Sequence, residues 1–344
     1  MRIILALITI AAAAWSGYWY VASAAVTRGF GAGLDTLRAE GWTARAASIE
    51  TGGFPYRFDT SFSDITLADP ETGLAWEAPV FRIFALSYEP GHVIAVWPAR
   101  QVFATPQGKY DLESSDMRAS LVTGATPRLP LERMVLTAAS LAITPREASA
   151  RAGSARAGSA PTRLEELRLA AARVATTASA YRLGLAAEGL SPGPEWRTRL
   201  DPAGRLPERF DAVTADLTVS FDKPWDRLAI TQPLPQPRRI TLRRAEARWG
   251  RLALQESGEV TVDARGRPQG EIAIKARNWR EILQMAAASG QLDAHFAARL
   301  EDGLSRLTQM ADDPQTLDIA LTFAKGRVWL GPVPLGPAPV LRLR

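Results

Sequence analysis

Val213-Thr214-Ala215-Asp216-Leu217-Thr218-Val219-Ser220-Phe221 decides the fold. Odd positions are apolar and even ones polar, the period-two pattern of a strand with one face turned to solvent. The same pattern recurs on either side. Val260 and Val262, a turn at Asp263-Ala264-Arg265-Gly266, then Ile272, Ile274 and Ala276 predict a hairpin. Leu317, Ile319, Leu321 and Phe323, a turn at Lys325-Gly326, then Val328 and Leu330 predict another. Upstream, Phe58, Thr60 and Phe62 alternate. Ile65 and Leu67 continue one step out of phase, as a bulge would leave them, before a turn at Asp69-Pro70-Glu71-Thr72-Gly73. The fold class is therefore α+β, mostly antiparallel β.

Helices frame this body. Asn278-x-x-Glu281 has the spacing of a capping box ahead of Trp279, Ile282, Leu283 and Ala286. Leu292, Phe296, Leu300, Leu304 and Leu307 then repeat at helical spacing toward Asp312-Asp313-Pro314. These predict a C-terminal helical pair packed on one face of the sheet. At the other end, Arg2 is followed by 25 uncharged residues, Ile3 to Thr27, with Trp15, Tyr18, Trp19 and Tyr20 inside the run. About 20 residues at ~1.5 Å each cross a ~30 Å hydrocarbon core, and aromatic rings favour the headgroup level. Residues 1–27 thus read as a membrane anchor. The alternative is a cleaved signal, for which Ala22-Ser23-Ala24 has the small-x-small pattern. Val26, Phe30, Leu34 and Leu37 continue the helical stripe, so 28–45 is a juxtamembrane helix and 46–344 an exported β-rich body. The single Arg2 on the short side places the N-terminus in the cytoplasm and the body in the periplasm at the inner membrane. A cleaved signal would secrete the same body to the periplasm.

Between 146 and 163, Ser149-Ala150-Arg151-Ala152-Gly153 repeats as Ser154-Ala155-Arg156-Ala157-Gly158, too poor in apolar groups to order itself. It reads as a flexible insert or linker. Val80 to Tyr88 and His92 to Trp97 carry apolar groups on both faces. Such strands are covered on both sides, either by protein such as the late helices or by something received in a groove. On the second reading Phe81, Ile83, Phe84, Leu86, Val93, Ile94, Val96 and Trp97 line a curved, groove-like sheet that takes an apolar ligand.

No catalytic machinery is legible. Cysteine is absent, which excludes thiol chemistry and zinc–thiolate sites. His92 and His295 have no local partner with ligand spacing. Ser220-Phe221-Asp222-Lys223 matches Ser-x-x-Lys, but Ser220 lies on a strand, Pro224 follows, and no Ser-Asp-Asn or Lys-Thr-Gly accompanies it. Gly29, Gly31 and Gly33 have neither the preceding strand nor the spacing of a nucleotide loop. Net charge is +5, yet the arginines are scattered rather than gathered in a basic run, so nucleic acid is not the expected partner. No metal, cofactor or catalytic residue is nominated.

Trp15-Ser16-Gly17-Tyr18-Trp19, Gly53-Phe54-Pro55, Arg57-Phe58-Asp59-Thr60 and Gly73-Leu74-Ala75-Trp76-Glu77-Ala78-Pro79 carry a resemblance to a known family. So do His92-Val93-Ile94-Ala95-Val96-Trp97-Pro98, Lys223-Pro224-Trp225-Asp226, Asn278-Trp279-Arg280 and Gly331-Pro332-Val333-Pro334-Leu335-Gly336-Pro337-Ala338-Pro339. Through them the chain resembles the proteobacterial family known as domain of unknown function 2125, which implies no activity and no catalytic residue. In layout it is similar to the AsmA-like superfamily: an anchor, then exported antiparallel sheet. That likeness implies envelope maintenance and lipid movement along a hydrophobic β-groove, although this body is shorter than grooves that bridge two membranes. The expectation is a non-catalytic envelope protein whose partners are the inner membrane and a lipid. The alternatives are an anchored scaffold that docks another envelope protein, for instance through Pro332–Pro339, and, third, an enzyme of unknown type.

Overall fold

The computed structural model describes residues 1–146, 160–202, 204–230, 232–290, 292–308 and 313–343. The repeat at 149–158 lies outside them. Two compact units form, one from 1–125 and 136–158 and the other from 126–135 and 159–344.

The first unit opens with a single 38-residue helix, α1 (Arg2–Ala39), which joins the predicted anchor and juxtamembrane stripe without a break. Nine strands follow: β1 (Thr43–Arg45), β2 (Ser48–Gly52), β3 (Arg57–Asp69), β4 (Leu74–Leu86), β5 (Glu89–Val96), β6 (Arg100–Thr105), β7 (Gly108–Glu113), β8 (Asp116–Thr123) and β9 (Leu131–Arg146), the last beginning in the second unit. All their pairings are antiparallel. β3 holds β2 and β4, and β4 divides its far edge between β5 near Leu86 and β6 near Trp76. The core joins Phe62, Ile65 and Ala78 to Phe30 of α1, Trp76, Phe81 and Ile83.

The phase shift after Phe62 is present, but its mechanism differs from a bulge. Asp64 takes a left-handed φ of 48°, and the β3–β4 register is the same on both sides of it: Ser63 faces Val80 and Ile65 faces Ala78. A bulge puts an extra residue in one strand. Here β4 changes phase in step, at Pro79, which has no N–H to lose from the ladder. Trp76 and Ala78 therefore stay in the same core as Phe81 and Ile83.

The second unit continues with β10 (Thr162–Arg173), β11 (Ala180–Glu188), α2 (Pro194–Leu200), β12 (Ala212–Phe221), β13 (Pro237–Trp249), β14 (Leu252–Val262), β15 (Pro268–Arg277), α3 (Trp279–Ala288), α4 (Ala294–Thr308), β16 (Thr316–Ala324), β17 (Arg327–Leu330) and β18 (Val333–Pro337). From β10 to β18 each strand pairs antiparallel with the next, a meander. Both predicted hairpins form, as β14–β15 and β16–β17. Pro332–Pro339 supplies β18. α3 and α4 pack on the sheet through Trp279, Leu300 and Leu304, which meet Ala276, Leu317 and Leu330. These helices cover their own unit, and the cover over Phe81 and Ile83 is the cluster around Phe30 instead.

The capping box does not close. Asn278 sits at φ 53° with its side-chain amide donating to the Arg251 carbonyl at 2.6 Å, while Glu281 accepts from the Arg251 guanidinium at 2.8 Å. The β13–β14 turn thus uses both groups that a box would pair with each other.

Candidate functional site

The eight residues singled out on β4 and β5 do not share a surface. The β3–β4 register sets Phe62 opposite Phe81, and β4–β5 sets Ile83 opposite Ala95 and Phe84 opposite Ile94. Strand alternation then puts Phe81, Ile83, Val93 and Trp97 on the core side, with the Phe81 and Trp97 rings 5.2 Å apart. Phe84, Leu86, Ile94 and Val96 fall on the other side, where Ile94 is 39% exposed. On that side His92 Nε2 lies 3.0 Å from Ser120 Oγ.

Two large cavities lie elsewhere. In the first unit a cleft of about 700 Å³ is edged by Thr66, Glu77, Arg100, Gln101, Asp111, Glu113 and Arg146. Two ion pairs sit in it: the Arg146 fork meets Asp111 at 3.1 and 2.6 Å, and Arg100 meets Glu113 at 3.0 Å. The hydrogen bonds and charge of Asp111 push the Arg146 pKa further up. Among the described residues, no three His, Asp or Glu side chains gather into a metal-binding group.

The second unit holds a cavity of about 570 Å³ with an almost wholly apolar wall. Its floor is one face of the meander. Ala171 of β10 lies opposite Leu183 of β11, Tyr181 opposite Val219 of β12, and Val219 opposite Ile240 of β13. Phe221, Trp225 and Leu131 close one side. These are the inward residues of the alternation that Val213–Phe221 predicts. The roof is an extended segment, Val340–Leu343, which crosses the floor without joining the sheet. Leu341 N–H donates to the Gly266 carbonyl at 2.8 Å, and Leu343 exchanges two hydrogen bonds with the Gln236 amide, at 3.1 and 2.9 Å. Gly266 has φ +79°, and a Cβ there would stand 2.6 Å from Arg342 Cγ, so only glycine fits beneath the roof.

The polar side chains among the lining residues are Arg342 in the roof and the Tyr181 phenol, itself only 1% exposed. Burial pushes its pKa up, while the Trp225 N–H donating to its oxygen at 3.2 Å and the Arg173 charge pull the other way. The ring stays neutral at physiological pH. Arg173, opposite Tyr181 in the register, is held by Glu132 through two bonds of 2.8 and 2.7 Å. Such a site can receive an apolar body.

A family model described as "Uncharacterized protein conserved in bacteria (DUF2125)" matches residues 19–339. The chain belongs to this family. The DUF2125 match begins at Trp19, whose ring is buried on β3, and takes in the whole floor of the cavity. It stops one residue before Val340, where the roof begins. No curated protein and no solved structure matches the chain.

α1 is the remaining functional element. From Ile3 to Ala14 it is apolar and exposed, long enough together with the residues after it to cross a bilayer, and consistent with membrane anchoring. The body grips it from Trp15 onward. Trp19 is 4% exposed, stacked on Phe58 with its indole N–H on the Arg57 carbonyl at 2.9 Å. Thr27, Thr51 and Thr60 continue the attachment as a chain of hydroxyls spaced 2.8 and 3.0 Å apart.

Proposed function

We propose that this protein is an inner-membrane-anchored envelope protein whose body faces the periplasm and holds an apolar ligand, a lipid acyl chain, without catalysing a reaction. The observation that carries the reading is the cavity of the second unit. Its volume of about 570 Å³ lies within the range of small-molecule sites, and its wall is aliphatic and aromatic. Each methylene buried there contributes about 0.8 kcal/mol, so roughly ten carbons bring about 8 kcal/mol before the costs of binding. The strip of Phe84, Leu86, Ile94 and Val96 on β4 and β5 is a second apolar surface compatible with the same class of ligand. Arg2 ahead of the apolar run supports an N-terminus in the cytoplasm.

Native mass spectrometry of the full chain released from detergent tests this. The expected result is a bound lipid mass that Val219→Trp removes by filling the floor. Ala171→Phe, on β10 two strands away across the same floor, provides the same test should Val219→Trp misfold. Detergent adducts alone, or lipid retained by both folded variants, would exclude the cavity as the site.

A further inference from the structure

The attachment of α1 to the first unit sets a depth. Trp15 Nε1 donates to the Pro55 carbonyl at 3.1 Å, the Tyr18 hydroxyl to the Ser87 carbonyl at 3.0 Å, and Trp19 Nε1 to the Arg57 carbonyl. Along the helix Trp15 lies only about 18 Å beyond Ile3, and Trp19 about 24 Å. A hydrocarbon core is ~30 Å thick, so a helix entering at Ile3 does not leave it before roughly Ser23. Tilting the helix only lengthens the immersed part. The backbone of the Gly53–Arg57 turn and of the Ser87–Tyr88 connection is therefore fastened to a section of α1 that the bilayer still surrounds.

The chemistry of that tip suits such a place. Phe54 is 48% exposed, and Tyr56 and Tyr88 are each 66% exposed. Phe54 stacks on Tyr20, itself exposed, so the rings form one aromatic group around the helix. Irregular backbone is tolerated at membrane depth only when its polar groups are satisfied by protein. Here the three carbonyls facing α1 receive indole and phenol donors, while the Tyr56 carbonyl accepts from both the backbone N–H and the hydroxyl of Ser87, at 2.9 and 3.0 Å. Gly53 closes the turn at φ +98°, where a Cβ would come within 2.9 Å of the Arg57 carbonyl oxygen.

We infer that the tip of the first unit is a membrane-seating surface, with Phe54, Tyr56 and Tyr88 inserted at the headgroup–acyl boundary of the leaflet the body faces. The partner is the lipid surface itself. This rests on α1 being a membrane anchor, and it adds that the body is not suspended from the helix by a linker but rests in the bilayer on three aromatic side chains.

The chain has no cysteine, so single labels are available without background. Phe54→Cys, Tyr56→Cys and Tyr88→Cys are labelled with bimane in the full-length protein. It is reconstituted in phosphatidylcholine–phosphatidylglycerol vesicles carrying lipids spin-labelled near the headgroup or deep in the chain. Ile8→Cys marks the anchor. Glu71→Cys marks the far turn of β3, about 40 Å away along the strand. The three tip positions are expected to lose roughly half or more of their emission to the shallow quencher, as groups about 5–10 Å below the surface do. Glu71 is expected to lose almost none, and Ile8 to respond to the deep quencher. Because Phe54 also packs on Trp19, Tyr56 and Tyr88 decide the matter if Phe54→Cys does not fold. Tip positions that behave like Glu71 while Ile8 is quenched overturn the inference and leave the anchor standing. An unquenched Ile8 removes the anchor, and the seating surface with it.

Discussion

α1 and the Val340–Leu343 segment each cover an apolar sheet face, and they do it differently. In the first unit α1 lies on β2 and β3 and fills the interface: Trp19 on Phe58, Phe30 on Phe62, with indole and hydroxyl groups bonded at every step. In the second unit Val340–Leu343 crosses β10–β13 as a single extended strand and leaves about 570 Å³ beneath it. A helix presents a stripe of long side chains that mesh with a sheet, whereas an extended segment presents alternate residues and meets the sheet only at intervals. The full cover makes a fixed joint between the helix and its sheet, and the sparse one leaves an apolar chamber.

The largest effect should come from the full cover. Trp19→Ala is expected to cost about 3–5 kcal/mol, as for other buried aromatic truncations, measured by denaturant unfolding of the full chain in detergent. Trp225→Ala, on the chamber wall, should cost clearly less because its ring already borders empty space; equal losses would erase the distinction between the two covers. Next, Gly266→Val forces a side chain into Arg342 and Val340 at a left-handed φ, with an expected cost of about 1–3 kcal/mol. Hydrogen exchange should then rise at Leu341 and Leu343 while β12 and β13 stay protected. Unchanged exchange at those two amides would mean the roof is not held by its contact with Gly266.

Charge effects should be smaller and of opposite signs. Burial pushes the Glu256 carboxyl up on β14, so the folded chain keeps that proton to higher pH than the unfolded one. Stability is therefore lost as pH rises from the ordinary carboxylate range through the raised value. Glu256→Gln should increase the melting temperature at pH 7 and make no difference at acid pH, which a calorimetric pH series reads directly. The Asp216 carboxyl is held down, chiefly by its hydrogen bond with Arg182. Its contribution is present above the ordinary carboxylate range and disappears as pH falls through the lowered value. The pair is largely exposed, so Arg182→Ala should cost only about 0.2–1 kcal/mol at neutral pH, and less in high salt.

The fold was largely readable from local pattern. Alternation at Val213–Phe221, the two later hairpins and the uncharged run after Arg2 each describe one element, and elements of that length speak through periodicity. The chamber was readable only in half. Val219 and Phe221 mark an inward face, but nothing in that stretch names its cover, because Leu341 reaches Gly266 from a distant part of the chain. The capping box misled for a similar reason: Arg251, in the turn between β13 and β14, takes both of its groups. On β4 and β5, apolar residues on both faces pointed to cover on both sides, and the core around Phe30 covers the Phe81 and Ile83 side, while Ile94 on the other side is exposed. The pattern could not say that Phe30 supplies that cover, nor that Phe84 and Ile94 face the opposite way.

The coordinated change of phase at Asp64 and Pro79 also bears on how such a chain can vary. Removing Asp64 alone would restore simple alternation from Phe62 to Ile65 and leave Pro79 as a bulge in β4, whereas removing one residue elsewhere in β3 would turn the side chains beyond the gap to the wrong side. Among members of the family, insertions and deletions in this ribbon should therefore come as matched pairs, one in each strand, or be confined to the Pro70–Gly73 turn where length carries no parity.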